Sequence, residues 1–273
     1  MYPYFIVFGR VAPTFGMFML LGMGAALGVV ALLSKLSAKN PTVEVNFSDT
    51  MLAGLMGFAG AVIGGFILRP LMRLPGIIIS WELYSTIPVG AFFNYLFGEF
   101  VFYGALLGGV VGTFIFCKMF KIQILQTCDM LAPAIATGHA IGRIGCLFAG
   151  CCFGIVVRHD HPLAIIYPPV LLHATENAPR LATPIIEAVV LAILSALLVL
   201  VFLKTKIKGL TFSLYFILYA VARFIIEFYR GDYIRGIYGI FSTSQYISMG
   251  VFIAGVIIMI LSIKHSRDTK KER

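Results

Sequence analysis

The sequence predicts an all-α, polytopic membrane protein of seven transmembrane helices with a small cap on its outer face. Three observations lead there. Of 273 residues, 60% are hydrophobic and only 12% are charged, too little charge to cover the surface of a soluble chain of this length. Apolar stretches close to the ~20 residues that cross a ~30 Å hydrocarbon core recur from end to end. All ten lysines fall at four places, spaced as cytoplasmic loops would be.

The predicted spans are Thr14–Lys35, Met51–Leu68, Gly90–Cys117, Met130–Phe148, Pro184–Leu203, Leu210–Phe228 and Ser242–Ile263. The start Met1–Arg10 lacks a basic n-region and no small-residue cleavage site follows, so the first span is expected to be retained. Gly76–Phe97 is apolar but interrupted by Trp81, Glu82, Pro88 and Asn94, and is expected to lie laterally or to re-enter. Gly154–Thr183 carries Pro162, Pro168, Pro169 and Pro179, which predicts a small irregular cap (154–183) between the fourth and fifth spans. No repeat, low-complexity segment or soluble domain is visible. The whole of 1–273 therefore reads as a single integral membrane domain.

The lysine groups are Lys35 and Lys39; Lys118 and Lys121; Lys204, Lys206 and Lys208; and Lys264, Lys270 and Lys271. With seven spans and the N-terminus outside, these are the three cytoplasmic loops and a cytoplasmic tail, as the positive-inside rule asks. The net charge of +9 then needs no nucleic acid, and the tail His265–Arg273 is expected to meet membrane lipids. Arginines behave differently. Arg10, Arg69, Arg73, Arg143, Arg158, Arg180, Arg223, Arg230 and Arg235 all map to the outer half or outer face, against the topological bias. Planar guanidinium groups grip phosphate through two parallel hydrogen bonds, so these arginines point to the phosphate of a lipid.

The segment densest in chemistry is Gly138–Gly154, at the outer end of the fourth span. His139 precedes Arg143 by four residues and shares its helix face, which pairs a base with a phosphate-binding cation. The plainer alternative has Arg143 snorkelling and His139 bonding a neighbouring helix. A second stripe runs Tyr219, Arg223, Glu227 and Arg230, at i, i+4, i+8 and i+11. Glu227 can orient Arg223, or the two form a purely structural pair, since either charge alone is costly in lipid. Cys146, Cys151 and Cys152 form a candidate thiol site open to a disulfide, a nucleophile, a metal or simple small-residue packing. Cys117 and Cys128 look structural. Gly104 and Gly108 give a G-x-x-x-G face for close helix contact, and Tyr103 just before it is either a hydrogen-bond donor or an interfacial anchor.

These pieces, in this order, resemble the bacterial prolipoprotein diacylglyceryl transferase family. The similarity covers Thr14–Gly16, Phe102–Gly109, Asp129–Gly154, Ala182–Glu187, Tyr219–Arg230 and Ser244–Ile263. Its best-matched motifs are Gly142-Arg143-Ile144-Gly145 and the Tyr219–Arg230 stripe ahead of Asp232. Membership implies seven spans with the N-terminus out and the C-terminus in, at the cytoplasmic (bacterial inner) membrane. It also implies transfer of the diacylglyceryl group of phosphatidylglycerol to the lipobox cysteine of a prolipoprotein signal peptide, with release of glycerol phosphate. Arg143, Arg223, Tyr219, Glu227 and Arg230 would bind phosphatidylglycerol; His139, Tyr103, Arg143 and Arg223 would be catalytic, with His139 as base. No cofactor and no metal are expected. The chain departs from the family pattern at Cys146, Ala149 and Cys151, where asparagine, asparagine and glutamate are usual, at Tyr103, where a histidine is, and at Pro184-Ile185-Ile186-Glu187, which reduces a Gln-Leu-Tyr-Glu motif. These departures mark a divergent branch. Its alternatives are a lipid-dependent transferase with another acceptor, a membrane thiol–disulfide enzyme using the three cysteines, or a transporter or scaffold.

Overall fold

The computed structural model describes residues 4–7, 10–38, 46–97, 101–167, 178–231 and 236–271. Lys39, Pro168, Pro169, Asp232, Arg235 and Arg273 lie outside the described residues, as do the side chains of Arg10, Tyr103, Lys270 and Lys271. The described helices are α1 (Thr14–Ser37), α2 (Phe47–Ile79), α3 (Trp81–Ser85), α4 (Val89–Phe97), α5 (Phe102–Met119), α6 (Ile124–Ala149), α7 (Thr183–Lys204), α8 (Leu210–Glu227) and α9 (Thr243–Lys271). Six of them, α1, α2, α6, α7, α8 and α9, are long and apolar enough to cross a membrane, and Gly104–Met119 is a shorter apolar helix. The chain is thus an all-α polytopic membrane protein.

Two expectations are corrected. The predicted third span, Gly90–Cys117, is two helices: α4 ends at Phe97 and α5 begins at Phe102. Val101, just before α5, has extended backbone at φ −100° and ψ 112°. The predicted lateral piece Gly76–Phe97 also starts too early, because α2 runs on to Ile79 with Pro70 and Pro75 inside it. At 33 residues, α2 is about 50 Å long, well beyond the ~30 Å hydrocarbon core.

The chain forms two compact units, Met1–Val43 with Cys128–Arg273, and Glu44–Thr127. In the second unit, α2 and α5 pack backbone to backbone. Gly60 and Gly64 of α2 face Gly108 and Gly104 of α5, and a Cβ on any of the four would overlap the carbonyl oxygen opposite. This is the small-residue mode of helix association in lipid, where close approach replaces the absent hydrophobic drive.

In the first unit, α6 is the central strut. Its Asp129 reaches the start of α8, accepting from the Gly209 N–H at 2.5 Å and the Phe212 N–H at 2.8 Å. The α8 cap residue Gly209 has no side chain of its own to do this, so the carboxylate meets orphan donors and the positive helix end from a neighbouring helix. Further along, Ser195 of α7 donates to the Pro133 carbonyl at 2.9 Å and lies 2.7 Å from the Thr137 hydroxyl. Small residues line the same face of α6: Ala132, Ala136 and Ala140 pack with Leu191, Leu194, Leu198 and Tyr215. Gly22 of α1 and Gly138 of α6 bring those two backbones into contact.

The predicted cap region is described in part. It contains a short antiparallel pair, β3 (Ala164–Ile166) with β4 (Pro179–Leu181). An isolated bridge Gly154↔Arg230 ties it to the chain just past α8, and another, Val156↔Arg180, lies within the region itself. Another pair, β5 (Ile237–Tyr238) and β6 (Phe241–Ser242), leads into α9.

Candidate active site

The last turns of α6 and α8 and the first turns of α7 and α9 converge on one buried ionic cluster. Arg143 comes from α6, Glu187 from α7 and Arg223 with Glu227 from α8. Glu187 is the hub. Its Oε2 lies 2.5 Å from Arg143 Nε and its Oε1 2.9 Å from Arg223 Nη1, with Arg230 Nη1 at 3.8 Å. Glu227 holds the other branch of Arg223, Nη2 to Oε2 at 2.6 Å. All five side chains are buried: 13% exposure for Arg143 and Arg223, 7% or less for the others. Single charges would be expensive here; shared, they hold one another.

Serines at the start of α9 complete the frame. Ser242 and Gln245 form a capping box: the Ser242 N–H donates to Gln245 Oε1 at 2.9 Å and the Gln245 N–H to Ser242 Oγ at 3.3 Å. The same Ser242 hydroxyl donates to Glu227 Oε1 at 2.8 Å, and Arg223 Nη2 donates to Ser244 Oγ at 3.3 Å. Helix start and ion cluster are therefore one structure. The N-termini of α7 and α9 also turn their positive dipole ends toward this side.

His139 sits one turn before Arg143, its Nε2 accepting from Arg143 Nε at 3.3 Å. Its ring lies 5.3 Å from that of Tyr219, which stacks in turn on Tyr215 at 5.8 Å. Three guanidinium groups against two carboxylates leave one positive charge in excess.

The structure thus brings together His139, Arg143, Tyr219, Arg223, Glu227 and Arg230. It corrects the place of Arg230, which is not on a continued helical stripe. α8 ends at Glu227, the next three N–H groups bond back three residues (Phe228 to Ile225, Tyr229 to Ile226, Arg230 to Glu227), and Arg230 then bridges Gly154. Tyr103 belongs to the other compact unit, in the first turn of α5, and its side chain lies outside the described residues. Cys146, Cys151 and Cys152 are free thiols whose Sγ atoms lie within 4.8 Å of one another. Sequence reasoning missed Glu187 and the two serines. Glu187 had a signal: it is the one acidic residue in α7, and an ionisable group inside a span asks for a partner. Ser242 had the Ser-x-x-Gln spacing of a capping box with Gln245.

Comparison with known proteins bears on this cluster. The family model for prolipoprotein diacylglyceryl transferase matches residues 4–261. The chain belongs to that family. Among curated relatives, this family member is 32% identical to the phosphatidylglycerol–prolipoprotein diacylglyceryl transferase of Clostridium tetani, over 87% of this chain and 91% of the relative. It is 31% identical to the second such transferase of Clostridium perfringens, over 96% of each. It is 28% identical to that of Dehalococcoides mccartyi, over 92% and 91%. All six clustered residues fall within the matched range.

Proposed function

We propose that this chain transfers the diacylglyceryl group of phosphatidylglycerol to the lipobox cysteine thiol of a prolipoprotein, at the outer face of the cytoplasmic membrane. The observation that carries this reading is the single excess positive charge of the buried cluster. A phosphodiester headgroup bears one negative charge, so it would balance three arginines and two glutamates. Arg143 and Arg223 bind the phosphate and stabilise charge on the leaving glycerol phosphate. Glu187 and Glu227 fix the spacing of those guanidiniums, and Tyr219 and Arg230 border them. His139 receives the acceptor proton and Tyr103 assists. The reading includes seven spans within a single integral membrane domain, with Gly104–Met119 serving as the short one, the N-terminus outside and the C-terminus in the cytoplasm. Residues 154–183 cap the outer face, where the signal peptide docks.

The test is incubation of the purified chain with labelled phosphatidylglycerol and a lipobox peptide, read by mass. The peptide should gain one diacylglyceryl group, and Arg143→Ala should abolish the gain. Full activity in Arg143→Ala removes the phosphate assignment; no transfer by the unaltered chain removes the acceptor.

A further inference from the structure

Arg143, Arg223 and Arg230 all reach Glu187, and Arg158 pairs with Asp160 at 3.1 Å. Arg180 differs. It is 2% exposed, yet among the described residues no carboxylate pairs with it and its buried Nε makes no hydrogen bond. Its strand, β4, pairs on one side with β3, where Ile165 stands opposite Arg180, and bridges on the other to Val156. The chain at 153–156 then bonds the segment that follows α8. The Ile155 N–H donates to the Tyr229 carbonyl at 3.0 Å, and the Gly231 N–H to the Phe153 carbonyl at 3.1 Å. Four short segments thus form one ladder, which sets the Arg180 backbone two strand spacings, ~10 Å, from that of Arg230.

The surroundings of this guanidinium are apolar. Its Cζ lies over the Phe153 ring, 4.7 Å from the centroid, and Tyr167 packs against the same ring at 5.4 Å, with Ile165 beside them. The ring occupies the planar face of the guanidinium and leaves its edge, toward which all the N–H donors point. A buried charge without a counter-ion is costly, so Arg180 reads as half of an ion pair whose other half arrives from outside. Val156, its neighbour on the ladder, is half-exposed, which puts the ladder at the surface where such a partner can enter. The proposed reaction makes a suitable anion. Phosphatidylglycerol brings one negative charge, which the cluster's single excess positive charge balances. The leaving group is a phosphate monoester, a class carrying ~1.5–2 negative charges at neutral pH. The cluster is matched to the donor and not to this product.

We propose that Arg180, backed by Phe153, is a second phosphate site, separate from the cluster, and that it takes a phosphate monoester: the glycerol phosphate released by transfer, or inorganic phosphate. The choice of ligand rests on the transferase reading. No bond is made or broken at Arg180. It receives the leaving group as it parts from Arg143 and Arg223, and so clears those two arginines for the next lipid.

The experiment measures labelled glycerol phosphate bound to the full chain in detergent, by equilibrium dialysis, with inorganic phosphate as competitor. Arg143→Ala, which disables the cluster, should still bind one glycerol phosphate per chain. Arg180→Gln should weaken that binding at least about 10-fold, the scale of losing hydrogen bonds from a charged donor. Arg180→Lys, which retains the charge without the planar fork, should weaken it less. Neither variant should shift the KM for phosphatidylglycerol. Transfer by Arg180→Gln should show a burst of one product per chain and then slow, because release has become limiting. Equal competition by inorganic phosphate supports a site for the phosphate group alone; weak competition supports one for the released glycerol phosphate. An unaltered chain that binds neither anion, or Arg180 variants that bind as tightly as it does, overturns the proposal and leaves the transferase reading standing. A raised KM for phosphatidylglycerol with anion binding unchanged places Arg180 in the lipid site and overturns it too. Anion binding that depends on Arg180, with no lipobox peptide ever lipidated, sinks the transferase reading and keeps the phosphate site.

Discussion

Glu187 Oε2 lies 2.5 Å from Arg143 Nε, while its other oxygen holds Arg223 at 2.9 Å. One carboxylate on α7 thus sets the spacing of a guanidinium from α6 and another from α8. Under the proposed function a lipid phosphate would find the arginines already placed, the ordering cost having been met when the helices packed.

Glu187→Gln should therefore weaken both fold and function. Removing one partner of a buried ion pair costs on the order of 3–5 kcal/mol, and here Arg143 loses its carboxylate while Arg223 is left with Glu227 alone. A large fall in melting temperature in detergent is expected, together with loss of phosphatidylglycerol binding. An unchanged melting temperature and rate would show that the cluster holds nothing in place.

Arg143→Lys keeps the charge and should still lose most transfer. A guanidinium can present Nε to Glu187 and other N–H groups to a phosphate, whereas a single ammonium is a compact point charge without that fork. The split to measure is binding against turnover: transfer should drop at least about 10-fold, equivalent to ~1.4 kcal/mol at the transition state. A fully active lysine variant would mean that charge alone suffices.

Ser242→Ala removes a helix cap and a donor to Glu227 in one step. Caps contribute about 0.5–2 kcal/mol, and a hydrogen bond to a charged group ~1.5–3 kcal/mol. Hydrogen exchange should accelerate at residues 243–245, where the cap normally protects the first turn. Exchange unaltered there would refute the capping box.

Gly108→Leu should separate α2 from α5. Any side chain at this position meets the Gly60 carbonyl, and backbone contact cannot yield as a flexible side chain does. Reduced yield and protease sensitivity within 44–127 are expected; Gly76→Leu, which faces open space, serves as the control.

How much of this was legible beforehand depended on whether the signal was local. Apolar runs and the Tyr219, Arg223, Glu227 spacing are read within one helix, and the Arg223–Glu227 pair at 2.6 Å follows from i, i+4 geometry alone. G-x-x-x-G at Gly104 was equally visible, although its matching face at Gly60 and Gly64 was not singled out. Glu187 was hidden for another reason. Its partners come from α6 and α8, and nothing in the run Pro184–Glu187 announces them. Likewise the expected single span Gly90–Cys117 is divided because hydropathy averages over a window, while the backbone is extended at Val101 just before α5. Arg230 was misplaced because helical periodicity continues on paper past the point where the chain turns to meet Gly154.

The shared carboxylate of Glu187 also constrains how the site can change over time. Replacing Arg143 leaves one oxygen of Glu187 without its guanidinium, and replacing Glu187 takes a carboxylate from Arg143 and Arg223 together. Substitutions within the cluster should therefore be strongly non-additive, each harmful alone and tolerable only beside its counterpart. The cluster can drift only as a block, and routes to a different set of charges must cross a valley of unstable single variants.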